Sequence, residues 1–202
     1  MTPPATIRPY QPRDLADLYE VCVRTGHAGG DARGIYRSDD LLPDIFLGPY
    51  VYLEPERAFV LDCGFRAVGY VVGTADTAVF VRACKERWIP RLAGRYPAPR
   101  DPPLSPDDSM LALHYSPELL LWDGVEAYPA HLHINLLAEF QGMGYGRRLM
   151  GRFFEAAFAT GARGVHLFVD SRNVGALSFY ARLRFHRLQA SGRAVILGRT
   201  LP

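Results

Sequence analysis

A glycine-rich segment, Gln141–Arg147, has a composition suited to binding phosphate; it reads Gln-Gly-Met-Gly-Tyr-Gly-Arg. An apolar run, His131–Leu137, precedes it and predicts a buried strand. A helical pattern follows, with apolar residues on one face: Leu149, Met150, Phe153, Phe154 and Ala157. Glycines let backbone N–H groups approach a ligand closely, and a helix N-terminus adds unpaired donors and a positive dipole end. The segment therefore predicts a phosphate-binding loop, with an ordinary glycine-rich turn as the alternative.

A second strand and a second helix are predicted downstream of this loop. The strand is the apolar run Val165–Val169, and the amphipathic helix Val174–Leu183 begins directly after Asn173. The order is then strand, loop, helix, strand, helix. Such a crossover makes the two strands parallel and adjacent in the sheet.

These motifs carry a resemblance to a known family. The residues that match are Gln141, Gly144, Gly146, Asn173, Ala176, Phe179, Tyr180 and Phe185. Together they resemble the GNAT acetyltransferase superfamily. The resemblance implies an α/β fold with a mixed, mostly antiparallel central sheet, one parallel splayed strand pair and flanking helices. It also implies that the loop holds the diphosphate of acetyl-CoA. One departure is Arg184, where the family often has glycine in the turn before Phe185.

A narrower resemblance lies upstream, in Gly69–Asp76 and Phe80–Pro90. These segments are similar to the acetyltransferase-like domain at the C-terminal end of O-GlcNAcases and to its stand-alone bacterial relatives. Two functions stay open. One is an acetyl-CoA-dependent N-acetyltransferase with direct transfer to an amine; the other is a catalytically silent acetyl-CoA-binding or protein-interaction module. A nucleotide-binding enzyme is disfavoured, because the Gln141–Arg147 segment lacks the Lys-Ser/Thr of a P-loop.

The resemblance implies a set of acetyl-CoA-binding residues at the end of the first strand, in the loop and on the second helix. A backbone N–H near Leu136 or Leu137 is expected to meet the thioester oxygen. Arginines after the loop can add charge-assisted contacts, and Glu139 should point away from the diphosphate. The predicted residues are Leu136, Leu137, Gln141, Gly142, Met143, Gly144, Tyr145, Gly146, Arg147, Arg148, Asn173, Phe179 and Tyr180.

Acetyl transfer to an amine also needs an acid and a base. Tyr180 is the candidate acid, because a nearby phenol can protonate a thiolate leaving group; the alternative is a core aromatic residue. Asn173 has a similar alternative as a helix cap. A base is needed because an alkyl amine of pKa about 10.4 is only about 1 part in 2,500 neutral at pH 7. Asp76 is the first candidate, with a cap before Thr77 as its alternative, and His133 and Glu139 are fallbacks.

No metal and no covalent intermediate are expected. His131 and His133 alternate along one strand and share a face, but no cysteine or third histidine follows at a spacing typical of a metal site. Direct transfer is favoured because none of the three cysteines lies next to a histidine in a nucleophile context.

The remaining elements must position this machinery. Asp14 is predicted to cap a helix with an apolar stripe at Leu15, Leu18, Tyr19, Cys22 and Val23. Leu41–Tyr52 predicts a short helix broken by Pro43 and Pro49, and Ser109–Asp123 suits either a helix or an extended segment. The other predictions are a strand at Thr6–Pro9, a loop at Gly26–Asp40 where acceptors approach in the resemblance, a hairpin at Arg57–Thr74, a helix at Thr77–Arg95, a proline-rich arm at Tyr96–Asp108 and a hairpin at Arg187–Leu197.

Composition limits the class of protein. A chain of 202 residues that is 49% hydrophobic predicts one domain, residues 1–202. A net charge of +2 without a run of like charges argues against a nucleic-acid partner. Three cysteines, an odd number without CxxC spacing, and the lack of a membrane-length apolar run favour a soluble, cytoplasmic protein. The sequence leaves open the acceptor, a small-molecule, peptide or protein amine, and whether the chain forms a homodimer.

Overall fold

The computed structural model describes residues 5–202 and contains one seven-stranded sheet with the strand order β1-β2-β3-β4-β5-β7-β6. All neighbouring strands are antiparallel except β4 and β5, which are parallel. This arrangement confirms the predicted fold class. The strands are β1 (Thr6–Pro9), β2 (Phe59–Asp62), β3 (Ala67–Thr74), β4 (Ala130–Leu136), β5 (Gly164–Asp170), β6 (His186–Ser191) and β7 (Ala194–Thr200).

Eight α-helices connect these strands within the described residues. None of the helices in this part of the chain is long and apolar enough to cross a membrane. The helices are α1 (Leu15–Thr25), α2 (Leu41–Phe46), α3 (Gly48–Leu53), α4 (Thr77–Ala83), α5 (Ile89–Leu92), α6 (Pro106–Tyr115), α7 (Tyr145–Ala159) and α8 (Val174–Arg182).

The two central strands separate along their length. Pairing between β3 and β4 runs from Gly69↔Leu136 to Thr74↔His131. Pairing between β4 and β5 consists of Ala130↔Val165 and His131↔His166, at the start of both strands. The second half of β4 therefore diverges from β5, and the predicted splayed pair is present.

Helices cover both faces of the sheet, and the alternation of side chains along β4 determines which residues meet which layer. On one face, Phe153 of α7 packs so closely under Gly73 that a methyl group at Gly73 would lie 2.5 Å from its ring. On the other face, Tyr50 of α3 contacts His131, and Asn135 donates a hydrogen bond to Thr25 of α1. The histidines of β4 therefore point toward α1 and α3, away from α7.

Two helix predictions need correction. Asp14 is not a side-chain cap of α1; its buried carboxylate accepts hydrogen bonds from Arg8 and from the Gln11 N–H instead. The segment Thr77–Arg95 is not one regular helix, because a wider π-helical turn, Cys84–Trp88, separates α4 from α5. Pro90 gives the physical reason, since proline lacks an N–H and its ring clashes with the carbonyl four residues earlier in a regular helix.

Prolines begin helices in this chain where the sequence predicted loops or breaks. The predicted arm Tyr96–Asp108 ends early, because α6 starts at Pro106 with Ser105 capping it through the Asp108 N–H at 3.1 Å. Pro43 and Pro49 lie in the first turns of α2 and α3, and the break falls between them at Leu47. A first-turn N–H has no partner inside the helix, so proline is tolerated there.

Candidate functional site

The glycine loop presents its backbone to open space. Gly142 and Gly144 have positive φ angles of 73° and 82°, a conformation that other residues rarely adopt. A Cβ atom added at either position would meet no other atom within 4 Å. Gly144 is also the N-cap of α7, so the first N–H groups of this helix are unpaired within the helix and border the same space. This geometry fits a diphosphate bound by backbone N–H groups at a helix N-terminus.

Two side chains fix the position of the loop. The Gln141 side-chain amide donates to the Leu136 carbonyl at 2.8 Å, which ties the loop to the end of β4. Phe179 of α8 packs on Gly146, where an added Cβ would lie 3.1 Å from the phenylalanine ring. Gly146 is therefore needed for packing between α7 and α8, whereas Gly142 and Gly144 leave space for a ligand.

Arginine side chains flank the loop. Arg147 and Arg148 are exposed in the first turn of α7, and the Arg148 guanidinium lies 5.6 Å from the centre of the Tyr145 ring. Glu139 and Met143 are exposed as well, before and within the loop. The entrance to the loop is thus bordered by positive charge on the helix side.

The register of β4 determines which of its backbone groups are free. The Leu137 N–H donates to the Val68 carbonyl at 3.0 Å, so of the two residues predicted to offer a free donor, Leu137 is excluded and Leu136 remains. Hydrogen-bonded and non-hydrogen-bonded pairs alternate in an antiparallel ladder. The next hydrogen-bonded pair is consequently Tyr70↔Asn135, and the pair between them, Gly69↔Leu136, is non-hydrogen-bonded. Leu136 and, two residues earlier, Ile134 therefore direct their N–H and C=O groups toward β5.

Those groups face the gap where β4 and β5 have separated. The Leu136 carbonyl is occupied by Gln141, which leaves the Leu136 N–H and both backbone groups of Ile134 on the open edge. His133 to Leu136 are partly exposed although β4 lies inside a seven-stranded sheet, as expected beside a gap. Ile134 was missed by the sequence analysis; only the ladder register identifies it.

Tyr180 lies on α8, and Asn173 is the N-cap residue of the same helix. Tyr180 is 8% exposed, and its ring packs against Phe179 and Phe185 at centroid distances of 5.3 and 5.5 Å. Within residues 5–202 its hydroxyl has no hydrogen-bond partner, and burial raises the pKa of the phenol, so it stays protonated. The Asn173 side chain accepts the Ala176 N–H at 3.0 Å, so its alternative role as a helix cap is present.

The turn after α8 keeps the geometry that a glycine would give. Arg184 has a φ of 63°, in the left-handed region, and the Phe185 N–H donates back to the Tyr180 carbonyl at 3.0 Å. This is a helix ending in which the left-handed residue is usually glycine. Arginine adopts it at a cost of about 1–2 kcal/mol. The departure from the family pattern at Arg184 therefore leaves the position of Tyr180 intact.

Asp76 is not brought together with the glycine loop. Its carboxylate accepts the Val79 N–H at 3.0 Å and caps α4. It follows the end of β3 that pairs with the start of β4, whereas the loop follows the end of β4. Five residue steps along an antiparallel strand separate these ends by about 17 Å. Asp76 lines a separate cleft of about 500 Å³ with Glu54, Arg57 and Thr160. This geometry favours the capping role, and the role of Asp76 as a base stays a prediction.

Three histidines meet at the closed end of the gap, where the first residues of β4 and β5 still pair. His131 and His133 share a face, with ring centroids 4.9 Å apart, and His166 of β5 stacks on His131 at 5.0 Å. Burial lowers the pKa of His133 and of His166 to about 4, so both rings are neutral at pH 7. The parallel pair His131↔His166 supplies the third histidine that sequence spacing did not reveal. Among residues 5–202, no group of three or more histidine, cysteine or acidic side chains is arranged to hold a metal ion.

Comparison with known proteins agrees with this architecture. The crystal structure of SsHAT has a TM-score of 0.96 and 50% sequence identity, covering 99% of this chain and 100% of that chain. The putative acetyltransferase yncA from Salmonella typhimurium, solved with its cofactor acetyl-CoA, has a TM-score of 0.56 at 16% identity, covering 98% of this chain and 94% of that chain. The second likeness shows the fold alone.

Sequence comparison identifies the family. The acetyltransferase (GNAT) family model matches residues 112–185. The chain is 30% identical over 202 residues to Protein O-GlcNAcase from Rattus norvegicus, covering 97% of this chain and 22% of that protein. It thus spans less than a quarter of the curated relative. The chain belongs to the GNAT acetyltransferase family, which confirms the resemblance.

Proposed function

We propose that this protein binds acetyl-CoA in the gap between β4 and β5 and transfers the acetyl group directly to an amine. One observation carries the proposal: the open backbone edge of Ile134 and Leu136 leads directly to the glycine loop. An amide-containing arm can add to such an edge as an extra strand, with its phosphate groups at the helix N-terminus. The acetyl-CoA complex of yncA, a protein of the same fold, supports this choice of substrate.

The proposed binding residues contact different parts of acetyl-CoA according to their position. Backbone N–H groups from Gly142 to Gly146 bind the diphosphate, and Arg147 and Arg148 add positive charge. The N–H of Ile134 or Leu136 is placed to polarise the thioester carbonyl, a type of contact worth about 3–4 kcal/mol of barrier. Acetyl-CoA itself supplies the activated acetyl group. Phe179 and Tyr180 of α8 and its N-cap residue Asn173 border the site.

Direct transfer fits the state of the cysteines. Cys22, Cys63 and Cys84 are all buried, and burial raises the pKa of Cys22 and of Cys84 to about 12. No thiolate nucleophile is therefore available from these two at neutral pH. Tyr180 serves as the acid that protonates the leaving thiolate, and the candidates for the base are those named from sequence, Asp76 first with His133 and Glu139 as fallbacks.

The acceptor is proposed to be a primary amine of a small molecule, peptide or protein, which approaches past the loop Gly26–Asp40. This loop reaches the N-terminus of α8, since a Cβ atom at Gly29 would lie 3.4 Å from the Asn173 side chain. We further propose that residues 1–202 form one acetyltransferase domain that works in the cytoplasm. Three free buried thiols agree with a reducing compartment.

A silent acetyl-CoA-binding module is the second candidate, and the position of Asp76 favours it, because the first base candidate caps α4 at the opposite end of β4 from the glycine loop. Titration calorimetry with acetyl-CoA and with CoA tests binding. A thiol-release assay then tests turnover with spermidine, kanamycin, a peptide with a free α-amine and a lysine peptide. Binding with turnover supports the enzyme, and binding without turnover supports the silent module. No binding of either compound contradicts both.

A further inference from the structure

Four polar rings form a connected array at the closed end of the gap. The Tyr50 hydroxyl lies 3.1 Å from Nδ1 of His131 and 3.3 Å from Nε2 of His133. His166 stacks on His131 with an interplanar angle of 9°. The array thus runs from His133, which is partly exposed beside the gap, to His131 and His166, which are fully buried.

The hydrogen bonds fix the proton positions in this array. Nδ1 of His166 lies 2.7 Å from the Tyr128 backbone carbonyl, and because a carbonyl only accepts, this Nδ1 carries the proton. Neutral His166 then has a bare Nε2. That Nε2 and the Nε2 of His131 are both buried without a hydrogen-bond partner among residues 5–202.

The Tyr50 hydroxyl has one proton, so it donates to one imidazole and accepts from the other. If it donated to His133, both unpartnered Nε2 atoms, on His131 and His166, would be bare acceptors inside the core. If it donates to His131 Nδ1, the His131 Nε2 carries a proton and the stacked pair presents one donor and one acceptor. The second arrangement avoids two adjacent buried lone pairs and is electrostatically favoured. His133 then donates its Nε2–H to Tyr50.

Resting on the acetyl transfer proposed above, we propose that Nδ1 of His133 accepts the proton of the acceptor amine, with Tyr50 and His131 as positioning residues. The tautomer derived for His133 leaves Nδ1 bare, as a base requires. His133 also directly precedes Ile134, whose N–H faces the gap, so the base and the carbonyl-polarising donor are adjacent in the chain. Burial lowers the pKa of His133, so the ring is neutral and able to accept a proton at pH 7, although the same shift weakens it as a base.

The proposed reaction balances in protons and electrons. An N–H bond of the ammonium group breaks, and its proton goes to Nδ1 of His133. The freed nitrogen lone pair forms a bond to the thioester carbon, and the C–S bond breaks with its electron pair going to sulfur. Tyr180 protonates the sulfur and regains a proton from the new amide nitrogen, while His133 returns its proton to solvent. The products are the acetamide, the free thiol and one proton.

The groups that face His133 come from four elements. They are Tyr50 from α3, His131 from its own strand and His166 from β5, and Phe46 of α2 adds an uncharged ring edge at 5.5 Å. Burial raises the pKa of the Tyr50 phenol, and the nearby Cys84 and Glu54 raise it further. Tyr50 therefore stays protonated across the pH range of the test.

The test compares His133→Gln and Tyr50→Phe with the parent protein, and His186→Gln on the exposed edge strand β6 is the matched control. At pH 7, His133→Gln should lower kcat/KM by about 10²-fold or more at unchanged acetyl-CoA affinity, with a rate that rises with pH toward the amine pKa. Tyr50→Phe should give a smaller loss and disturb the His133 tautomer in nitrogen NMR spectra. His186→Gln should match the parent. His133→Asn replaces the glutamine variant if that variant does not fold.

Each outcome decides the question. Parental turnover in the His133 variant overturns its role as the base while leaving the acetyl transfer intact. A parent protein that binds acetyl-CoA but releases no thiol with any of the four amines overturns the proposed function and this role with it. A parental His133 protonated on Nδ1 in NMR spectra overturns the proton arrangement whether or not turnover occurs.

Discussion

Replacement of Tyr180 by phenylalanine separates a catalytic hydroxyl from a structural one. The ring packs between Phe179 and Phe185, and phenylalanine preserves both contacts. The hydroxyl itself has no hydrogen-bond partner within residues 5–202 and lies in a side chain that is only 8% exposed. A tyrosine that served packing alone would gain nothing from such a hydroxyl.

The expected change in stability follows from the absence of a hydrogen-bond partner for this hydroxyl. A buried polar group without a hydrogen bond costs about 1–3 kcal/mol, but the Tyr180 hydroxyl is not among the fully buried polar atoms that lack a partner, so its cost lies below that range. Tyr180→Phe should therefore leave the free energy of unfolding unchanged or raise it by up to about 1 kcal/mol, a gain of about 2–4 °C in Tm for a chain of this size. Loss of the leaving-group acid should lower turnover by about 10²- to 10⁴-fold. Stability and activity should move in opposite directions.

The assay is thiol release with the best acceptor found, alongside thermal melts and acetyl-CoA titration on both proteins. The rate loss should shrink for acyl donors with more acidic leaving thiols, since these need less protonation. Parental turnover in the variant would remove Tyr180 from the mechanism. A Tm lowered by several degrees would show that the hydroxyl makes a stabilising contact.

Three further predictions test other parts of the site. Gly144→Val should abolish acetyl-CoA binding in calorimetry, because a branched side chain at a positive φ fills the space beside the loop. The control Gly151→Val, inside α7, should bind acetyl-CoA normally. Equal affinity in the two variants would refute the assignment of the loop as the diphosphate site. Asp76→Asn should keep the α4 cap and the melting temperature, since asparagine caps a helix as well as aspartate does. If the pH–rate profile of this variant overlays that of the parent protein, Asp76 is not the base. The unfolding free energy should fall as the pH drops from about 6.5 to about 4, by about 1.4 kcal/mol per pH unit for each of His133 and His166. The reason is that both histidines become protonated in the unfolded chain in this range, whereas their buried rings stay neutral in the folded protein. Equal free energies of unfolding from urea melts at pH 7 and pH 5 would contradict this.

The spacing of apolar residues and glycines along the chain was enough to predict many of the helices and strands around the site. Alternating and helical apolar patterns gave β4, α7, β5 and α8 to within a few residues, and the glycines marked the loop between them. These features depend on neighbours in the chain, where side-chain period and backbone freedom are fixed by residue type. The misplaced features have local causes as well: the turn at Pro90 and the start of α6 at Pro106 show that a proline can reshape or begin a helix as well as break it.

The chemistry of the gap depended on pairing between distant segments. Whether Leu136 or Leu137 offers a free N–H is set by the ladder with β3, and a shift of one residue reverses the answer. His166 meets His131 only because β5 returns parallel to β4 after a crossover helix. The sequence by itself determined which residue types were available for acetyl transfer. The tertiary structure decided which backbone groups and rings share the gap, because strand register and burial arise from long-range packing that no local pattern encodes.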